Sequence, residues 1–180
     1  PAEIQNVMPE SGTLKAVPIS DGFALAPLFR YQSQRPAIPT HRAENPEAEW
    51  TRLQAALENS RRETSALARR MKQSLGSSEG AIFDAHLLIL QDPDLIQQAR
   101  AGIDERHENA ALAWNTAITA AAESYRALDD PYLQQRAADV EDVGTRVLLR
   151  MMNNSVPAPI VFDAPVILYA ADLTPTETSQ

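Results

Sequence analysis

The sequence has 180 residues, 44% of them hydrophobic and 22% charged, and its 24 acidic and 16 basic side chains give a formal net charge of −8. This length suits one domain or two small ones, with roughly 70% of the unfolded chain's surface buried on folding. The negative charge argues against nucleic acid as a partner, because a phosphate backbone requires a basic face, and favours a basic or neutral partner. The absence of cysteine excludes disulfides, thiolate metal sites and a cysteine nucleophile.

The sequence carries no targeting or membrane segment that its composition would reveal. No apolar run approaches the ~18 residues of a membrane span. Residues 1–11 lack the basic region and following apolar region of a signal peptide, so a cytoplasmic location is expected. The sequence has no initiator methionine and ends in the polar residues 176–180, so we expect it to be a piece of a longer chain.

Proline placement divides the sequence into a helical centre and two flanks. Seven of the 13 prolines lie in residues 1–46 and four in residues 157–175. Proline disrupts helices, so the block over residues 47–152 is predicted to be largely helical. Short β-leaning runs at residues 14–17 and 166–169 lie on either side. This order predicts a helical insertion between two parts of a small α/β unit.

The central block is predicted to form an antiparallel helical bundle. The first helix presents one apolar stripe and a polar face that includes Arg52 and Arg61, and should end near Gly76. A second, over residues 79–91, is apolar nearly all round. Further helices should begin after Asp92, Asn109 and Asp130, because these side chains can accept hydrogen bonds from the free amides of a first turn. The last two are expected to end near residues 128 and 152, and short connections make neighbouring helices antiparallel.

The three histidines are the side chains most suited to proton or phosphoryl chemistry near neutral pH. His41 and His107 are predicted to be solvated loop residues. His86 lies in the middle of the apolar second helix, where either a structural role at the bundle edge or a functional role fits. The acidic clusters at residues 92–94, 129–130 and 139–142 are interpreted as helix caps and solvated faces, and no metal-binding motif occurs.

Apolar residues surround the expected kink at residues 92–94. Leu88, Ile89 and Leu95 cannot all point into one bundle seam, so some of them are expected to form an exposed apolar patch with an acidic rim. A patch of this kind is typical of a protein-docking surface. Ordinary core packing is the alternative, and the pattern alone does not choose between the two.

Three sequence runs resemble one protein family. Residues 81–95 read AIFDAHLLILQDPDL, residues 128–140 read LDDPYLQQRAADV, and residues 166–178 read VILYAADLTPTET. In this order they resemble the amino-terminal half of enzyme I of the bacterial phosphoenolpyruvate-dependent sugar phosphotransferase system, from about residue 13 to the last. The resemblance implies a mainly α fold, a helical bundle with a kinked helix pair inserted in a small, truncated α/β phosphohistidine subdomain. It divides the chain into a linker (1–12), the α/β subdomain (13–42 and 154–180) and a helical subdomain (43–153).

The resemblance also implies a function in phosphoryl transfer. In the family a histidine takes the phosphoryl group from phosphoenolpyruvate, bound with Mg2+ on a carboxyl-terminal domain, and passes it to the small phosphocarrier HPr. The histidine motif lies beyond Gln180, so this chain would contain no catalytic histidine and bind no cofactor itself. Thr178 would support the absent phosphohistidine, and Asp139 would lie near the same site. The residues implied to bind the partner are Ala81, Asp84, His86, Leu88, Ile89, Asp92, Asp94, Leu95, Ile118, Leu133 and Arg136.

Two departures from the family pattern keep alternatives open. Ser77 and Ser78 stand where relatives often carry acidic residues, which predicts weaker steering or a different carrier. Residues 1–11 match nothing in a free-standing enzyme I and resemble a linker after a carrier domain, as in multiphosphoryl transfer proteins or the phosphoryl-donor subunit of dihydroxyacetone kinase. A nitrogen-regulatory paralogue and a carrier-binding module whose parent lost the histidine are further alternatives. The resemblance implies a monomeric fragment and a homodimeric full-length enzyme.

Overall fold

The computed structural model describes residues 20–31, 36–74, 77–152, 162–170 and 173. Within these residues the chain forms two short strands and five helices, and the helices make up most of the fold. In chain order they are β1 (Leu28–Arg30), α1 (Pro46–Ser74), α2 (Ser77–Ile89), α3 (Pro93–Arg106), α4 (Ala110–Arg126), α5 (Pro131–Met151) and β2 (Ile167–Tyr169). No helix of the described part is long and apolar enough to cross a membrane.

The three predicted helix starts are confirmed by side-chain caps. The Asp92 carboxylate accepts hydrogen bonds from the Asp94 and Leu95 amides at 2.8 and 3.3 Å. Asn109 caps α4 and Asp130 caps α5 in the same way. Each cap satisfies amides that have no partner within the helix, which is why these residues fix where the helices begin.

The predicted ends of two helices differ from the structure. α2 covers Ser77–Ile89 and not residues 79–91, because the Gln91 and Asp92 amides bond to carbonyls three residues earlier and tighten the chain ahead of Pro93. α4 ends at Arg126, two residues before the expected residue 128, and the chain turns there ahead of the Asp130 cap.

Two arginines of the polar face of α1 bind the carboxyl ends of other helices. Arg61 donates from Nε and Nη2 to the Leu90 carbonyl at 3.1 and 2.8 Å. Arg52 donates in the same way to the Met151 carbonyl. Carbonyls at a helix end lack partners in their own helix, so these contacts satisfy them and fasten α1 to α2 and α5.

The main core lies where α4 crosses α5. Trp114 is fully buried, and its indole N–H donates to the Gly144 carbonyl at 3.2 Å. A Cβ at residue 144 would lie 2.5 Å from Ile118 Cγ2, so glycine is what allows the two helices to approach this closely. The close approach fixes α5, the helix that carries the polar residues described below.

The helices connect two strands that lie side by side. β1 and β2 pair in parallel, with Leu28 opposite Ile167 and Arg30 opposite Tyr169. A parallel pair requires a long crossover, and here α1 to α5 supply it. The expected fold class, a helical bundle inserted in a small α/β element, is confirmed. The run at residues 14–17, predicted as β-leaning, lies outside the described residues.

Candidate functional site

The turn between α2 and α3 presents one large apolar side chain to solvent. Leu88 is 71% exposed at the end of α2, whereas Ile89 is half-buried and packs against the core. Leu95, on the other side of the turn, is buried. The exposed patch and ordinary core packing, the two alternatives for these residues, therefore each hold for one of them. Leu88 belongs to an exposed patch, and Leu95 belongs to the core.

Acidic residues precede and follow Leu88 in the chain. Asp84, one turn before Leu88, is exposed and forms an ion pair with Lys72 Nζ at 2.7 Å. Asp92 and Asp94 lie at the start of α3, and Asp94 is exposed. We call the surface formed by α2 and the start of α3 the α2–α3 face; its residues are Ala81, Asp84, Leu88, Ile89, Asp92 and Asp94. Its acidic rim is suited to a basic partner.

The first turn of α5 carries a second exposed apolar group. Leu133 is 37% exposed and Tyr132 is 61% exposed. Arg136 follows one turn later, with about a third of its side chain exposed, and its guanidinium lies 5.1 Å from the Tyr132 ring centre. These residues are accessible to a partner, as the resemblance requires of Leu133 and Arg136.

Three residues that the resemblance implied as partner-binding are buried in the core. His86 is 0% exposed, and Leu95 and Ile118 are each 5% exposed. His86 and Leu95 lie on the inner sides of their helices, and Ile118 packs against Gly144 at the α4–α5 crossing. None of them offers contact area to a partner, so we leave all three out of the proposed docking surface.

His86 faces two carboxylates of α5. Its Nε2 lies 3.6 Å from Asp139 Oδ1, and its Nδ1 lies 3.9 Å from Asp142 Oδ2. Both separations exceed ordinary hydrogen-bond lengths, and neither ring nitrogen bonds to any other described group. The Phe83 ring packs edge-on against the imidazole, with centroids 5.7 Å apart.

Two arginines extend this polar cluster along α5. Arg136 Nη1 donates to Asp139 Oδ2 at 3.1 Å, and its Nη2 donates to the Tyr132 hydroxyl at 2.7 Å. Arg146 donates to Asp142 Oδ2 at 3.3 Å and to the buried Thr64 hydroxyl of α1. We call this set the His86 network; its members are Thr64, His86, Arg136, Asp139, Asp142 and Arg146. It connects α1, α2 and α5.

The pKa values of Asp139 and Arg146 depart from their ordinary values. The pKa of Asp139 lies below its ordinary value, first because of His86 and then because of Arg136, and burial only partly offsets them. Burial lowers the pKa of the Arg146 guanidinium, although Asp142 opposes this effect. Asp139 is therefore held as a carboxylate between the His86 imidazole of α2 and the Arg136 guanidinium at the surface.

The interpretation of residues 139–142 as solvated or capping is wrong for two of the three acids. Asp139 and Asp142 point inward, and only Glu141 behaves as expected, pairing with Arg126 at 2.7 Å on the surface. A sequence signal was available. Charged residues at 136, 139, 142 and 146 recur at spacings of three and four beside the apolar stripe of α5, which places them on one face of the helix.

The remaining predicted groups divide between exposed and undescribed positions. His41 and His107 are exposed and lie outside the helices, which confirms their prediction as solvated loop residues. Thr178 lies outside the described residues. In the part of the chain that the structure describes, no three His, Asp or Glu side chains are placed to hold a metal ion.

Comparison with known proteins identifies the family of this chain. Residues 15–136 match the family model described as "PEP-utilising enzyme, N-terminal". The chain belongs to this family. It is 36% identical over 171 residues to the phosphoenolpyruvate-protein phosphotransferase of Enterococcus faecalis, which covers 94% of the chain and 30% of that relative. The protein of the same name from Priestia megaterium is 33% identical over 167 residues. The chain thus spans about 30% of the length of these relatives.

Two solved structures share the fold. An NMR solution structure of Enzyme I superposes with a TM-score of 0.71 and 29% identity, covering 86% of this chain and 63% of the other. The N-terminal domain of "Enzyme 1 - Nitrogen" gives a TM-score of 0.68 and 26% identity, with the same coverage. The expected relationship to the amino-terminal part of enzyme I is confirmed.

Proposed function

We propose that the α2–α3 face docks HPr or an HPr-like carrier domain, as part of a phosphoenolpyruvate-protein phosphotransferase. The observation that carries this proposal is the 71% exposure of Leu88 on a helix whose other large side chains are buried or half-buried. An apolar group of this size at a helix end, with acidic neighbours, is suited to become the buried centre of a small interface.

Charge supports the choice of partner chemistry. Asp92 and Asp94 lie beside Leu88, and the whole chain carries a net charge of −8. A carrier with basic side chains around its active histidine would be attracted to this face over a distance of about one Debye length, roughly 8–10 Å at physiological salt. Lys72 compensates Asp84 locally, so Asp92 and Asp94 should contribute most to this steering.

The phosphoryl group itself would be carried by a histidine that the resemblance implies beyond residue 180. That phosphohistidine, in the α/β subdomain whose parts in this chain are 13–42 and 154–180, would pass the group to the docked carrier through a loose transition state that depends on positioning and charge stabilisation. The Arg136 guanidinium, which pairs with Asp139, would face that group and stabilise its negative charge. Thr178 would orient the histidine. Phosphoenolpyruvate and Mg2+ would act on a separate carboxyl-terminal domain. The chain is proposed to be monomeric, cytoplasmic and without affinity for nucleic acid or membranes, and its full-length parent homodimeric.

A second candidate is a carrier-binding module of a regulatory enzyme I-like protein or of the dihydroxyacetone kinase phosphoryl-donor type. The likeness to "Enzyme 1 - Nitrogen" favours the regulatory form. In that case the same face would prefer a carrier from the regulatory branch over the HPr of sugar transport. Parallel titrations with both carriers separate the two candidates.

The proposal is tested by NMR titration of isotope-labelled HPr with this chain at low and high salt. We expect shifts around the active histidine of HPr that weaken as salt rises. Leu88→Asp should weaken binding at least about tenfold, which corresponds to about 1.4 kcal/mol, because it places a charge at the centre of the interface.

Leu25→Asp is the matched control. Leu25 is 99% exposed in the segment before α1, so the same change of chemistry there should leave binding unaltered. Neither variant should change folding stability by more than about 0.5 kcal/mol, since both side chains are largely in water. Equal binding by both variants, or no shifts from the folded chain with either carrier, would refute this docking surface.

A further inference from the structure

His86 has no place in the docking surface, yet it is a fully buried histidine that contacts charged groups of another helix. Burying a polar ring without full hydrogen bonding costs free energy. An apolar residue of similar size would avoid that cost in a helix as apolar as α2. The identity of the side chain therefore calls for an explanation beyond packing.

The geometry around the ring supplies one. Asp139 and Asp142 lie three residues apart on α5, so their carboxylates stand on one side of that helix, one opposite each ring nitrogen. Phe83 packs edge-on against the ring. From α1, the network includes Thr64, which is engaged by Arg146. The two ring nitrogens thus face the two acids.

The charges of the network lie around the ring. Asp139, Asp142 and Arg146 together carry one excess negative charge beside His86. Arg136 stands apart from this balance, because about a third of its side chain is in water. Asp139 therefore faces the imidazole on its inner side and the Arg136 guanidinium on its outer side.

Asp139 uses a different oxygen for each neighbour. Oδ1 faces His86 Nε2 of α2, and Oδ2 accepts from Arg136 Nη1 at the surface. Rotation of the carboxylate about its Cβ–Cγ bond would alter both contacts at once. Asp139 thus lies between Arg136 and the helix that also carries Leu88.

We propose that His86 is a positioning residue, which fixes the carboxylate of Asp139 from inside the bundle and through it orients the Arg136 guanidinium at the surface. The proposal rests on the proposed function only in the role that it gives to Arg136, that of facing the transferred phosphoryl group. It makes the inner side of α2 responsible for the geometry of Arg136, while the outer side of the same helix meets the carrier.

The test compares His86→Leu, His86→Gln and Phe83→Leu in the chain without any carrier. The carboxyl carbon of Asp139 is titrated by NMR, and the order of the Arg136 side chain is measured from the relaxation of its Nε–Hε group. In His86→Leu the pKa of Asp139 should rise towards its ordinary value, because the largest cause of its lowering is removed, and Arg136 should become more mobile.

His86→Gln retains an N–H donor and should restore part of both readings. Phe83→Leu removes packing against the ring without touching a charge, so it should lower stability while leaving the Asp139 titration in place. An unchanged Asp139 titration in His86→Leu, or an equal change in Phe83→Leu, would overturn the proposal. If His86→Leu does not fold, the other two variants still decide between positioning and packing. Only a positioning role changes the Asp139 titration in His86→Gln and leaves it unchanged in Phe83→Leu.

These readings are independent of the carrier experiment. A chain that fails to bind HPr can still show the dependence of Arg136 on His86, and a chain that binds HPr can lack it. Failure of the proposed function and failure of this inference are therefore distinguished by which of the two measurements is negative.

Discussion

The crossing of α4 and α5 can be tested by replacing Gly144 with alanine. The added Cβ would lie 2.5 Å from Ile118 Cγ2 and 2.9 Å from Cγ1, about 1 Å closer than ordinary contact. Ile118 is buried and branched at Cβ, so it has little freedom to move aside. Overpacking of this kind costs about 1–3 kcal/mol.

Helix propensity acts in the opposite direction. Alanine is favoured over glycine inside a helix by about 1 kcal/mol, so the two effects compete in Gly144→Ala. The overlap should win, since the helices cannot separate without also stretching the 3.2 Å bond from Trp114 to the Gly144 carbonyl. We expect a net loss of about 1–2 kcal/mol in the free energy of unfolding.

A double-mutant cycle with Ile118→Ala isolates the overlap. Ile118→Ala alone should cost about 2–4 kcal/mol through the cavity it leaves. In the double variant the new Cβ enters that cavity, so the two losses should not add, and a coupling of at least about 1 kcal/mol is expected. The assay is urea unfolding followed by circular dichroism. A Gly144→Ala variant that is more stable than the wild type, with additive energies in the cycle, would refute the argument that this glycine is required by the crossing.

Two further variants test the contacts that bind α1, α2 and α5 together. Asp139→Asn should cost more stability at pH 6 than at pH 3. The pKa of Asp139 in the folded state lies below its value of about 3.9 in the unfolded state, so its contribution to stability is present above the unfolded-state pKa and is lost as the pH falls through the folded-state pKa. Urea unfolding at both pH values checks this, and equal losses would contradict the assignment of Asp139 as a carboxylate stabilised in the folded state. Arg61→Ala should cost about 1–3 kcal/mol, because it leaves the buried Leu90 carbonyl without its two donated bonds. Its neighbour Arg62 pairs with Glu58 at the surface, so Arg62→Ala should change stability by less than about 0.5 kcal/mol. Similar losses from both variants would exclude the capping role of Arg61.

The helices and their starting points could be read from the sequence because their causes are local. Asp92, Asn109 and Asp130 each accept bonds from amides no more than three residues away, so the sequence window that contains the cap also contains its partners. The apolar period of α5 is equally local. Helix ends were less predictable, since α2 and α4 stop where the turn towards the next element begins.

The docking face and the His86 network differ in how far the sequence could reveal them. The pattern around residues 88–95 indicated an apolar patch but left open which side chains face water. That choice depends on the rotation of α2 against α1 and α5, which buries His86 and leaves Leu88 exposed. The family resemblance placed Arg136 and Asp139 near the same site, whereas their pairing and the neighbouring Asp142, Arg146 and Thr64 were not identified.

The sequence by itself determined the class of fold, the family and the position of the helix starts, because periodicity, caps and motifs are properties of neighbouring residues. Only the tertiary structure decided that His86 lies inside and faces Asp139, 53 positions further along the chain. The physical reason is that burial and charge pairing between helices depend on how the helices pack, and no local pattern records which face of one helix meets which face of another.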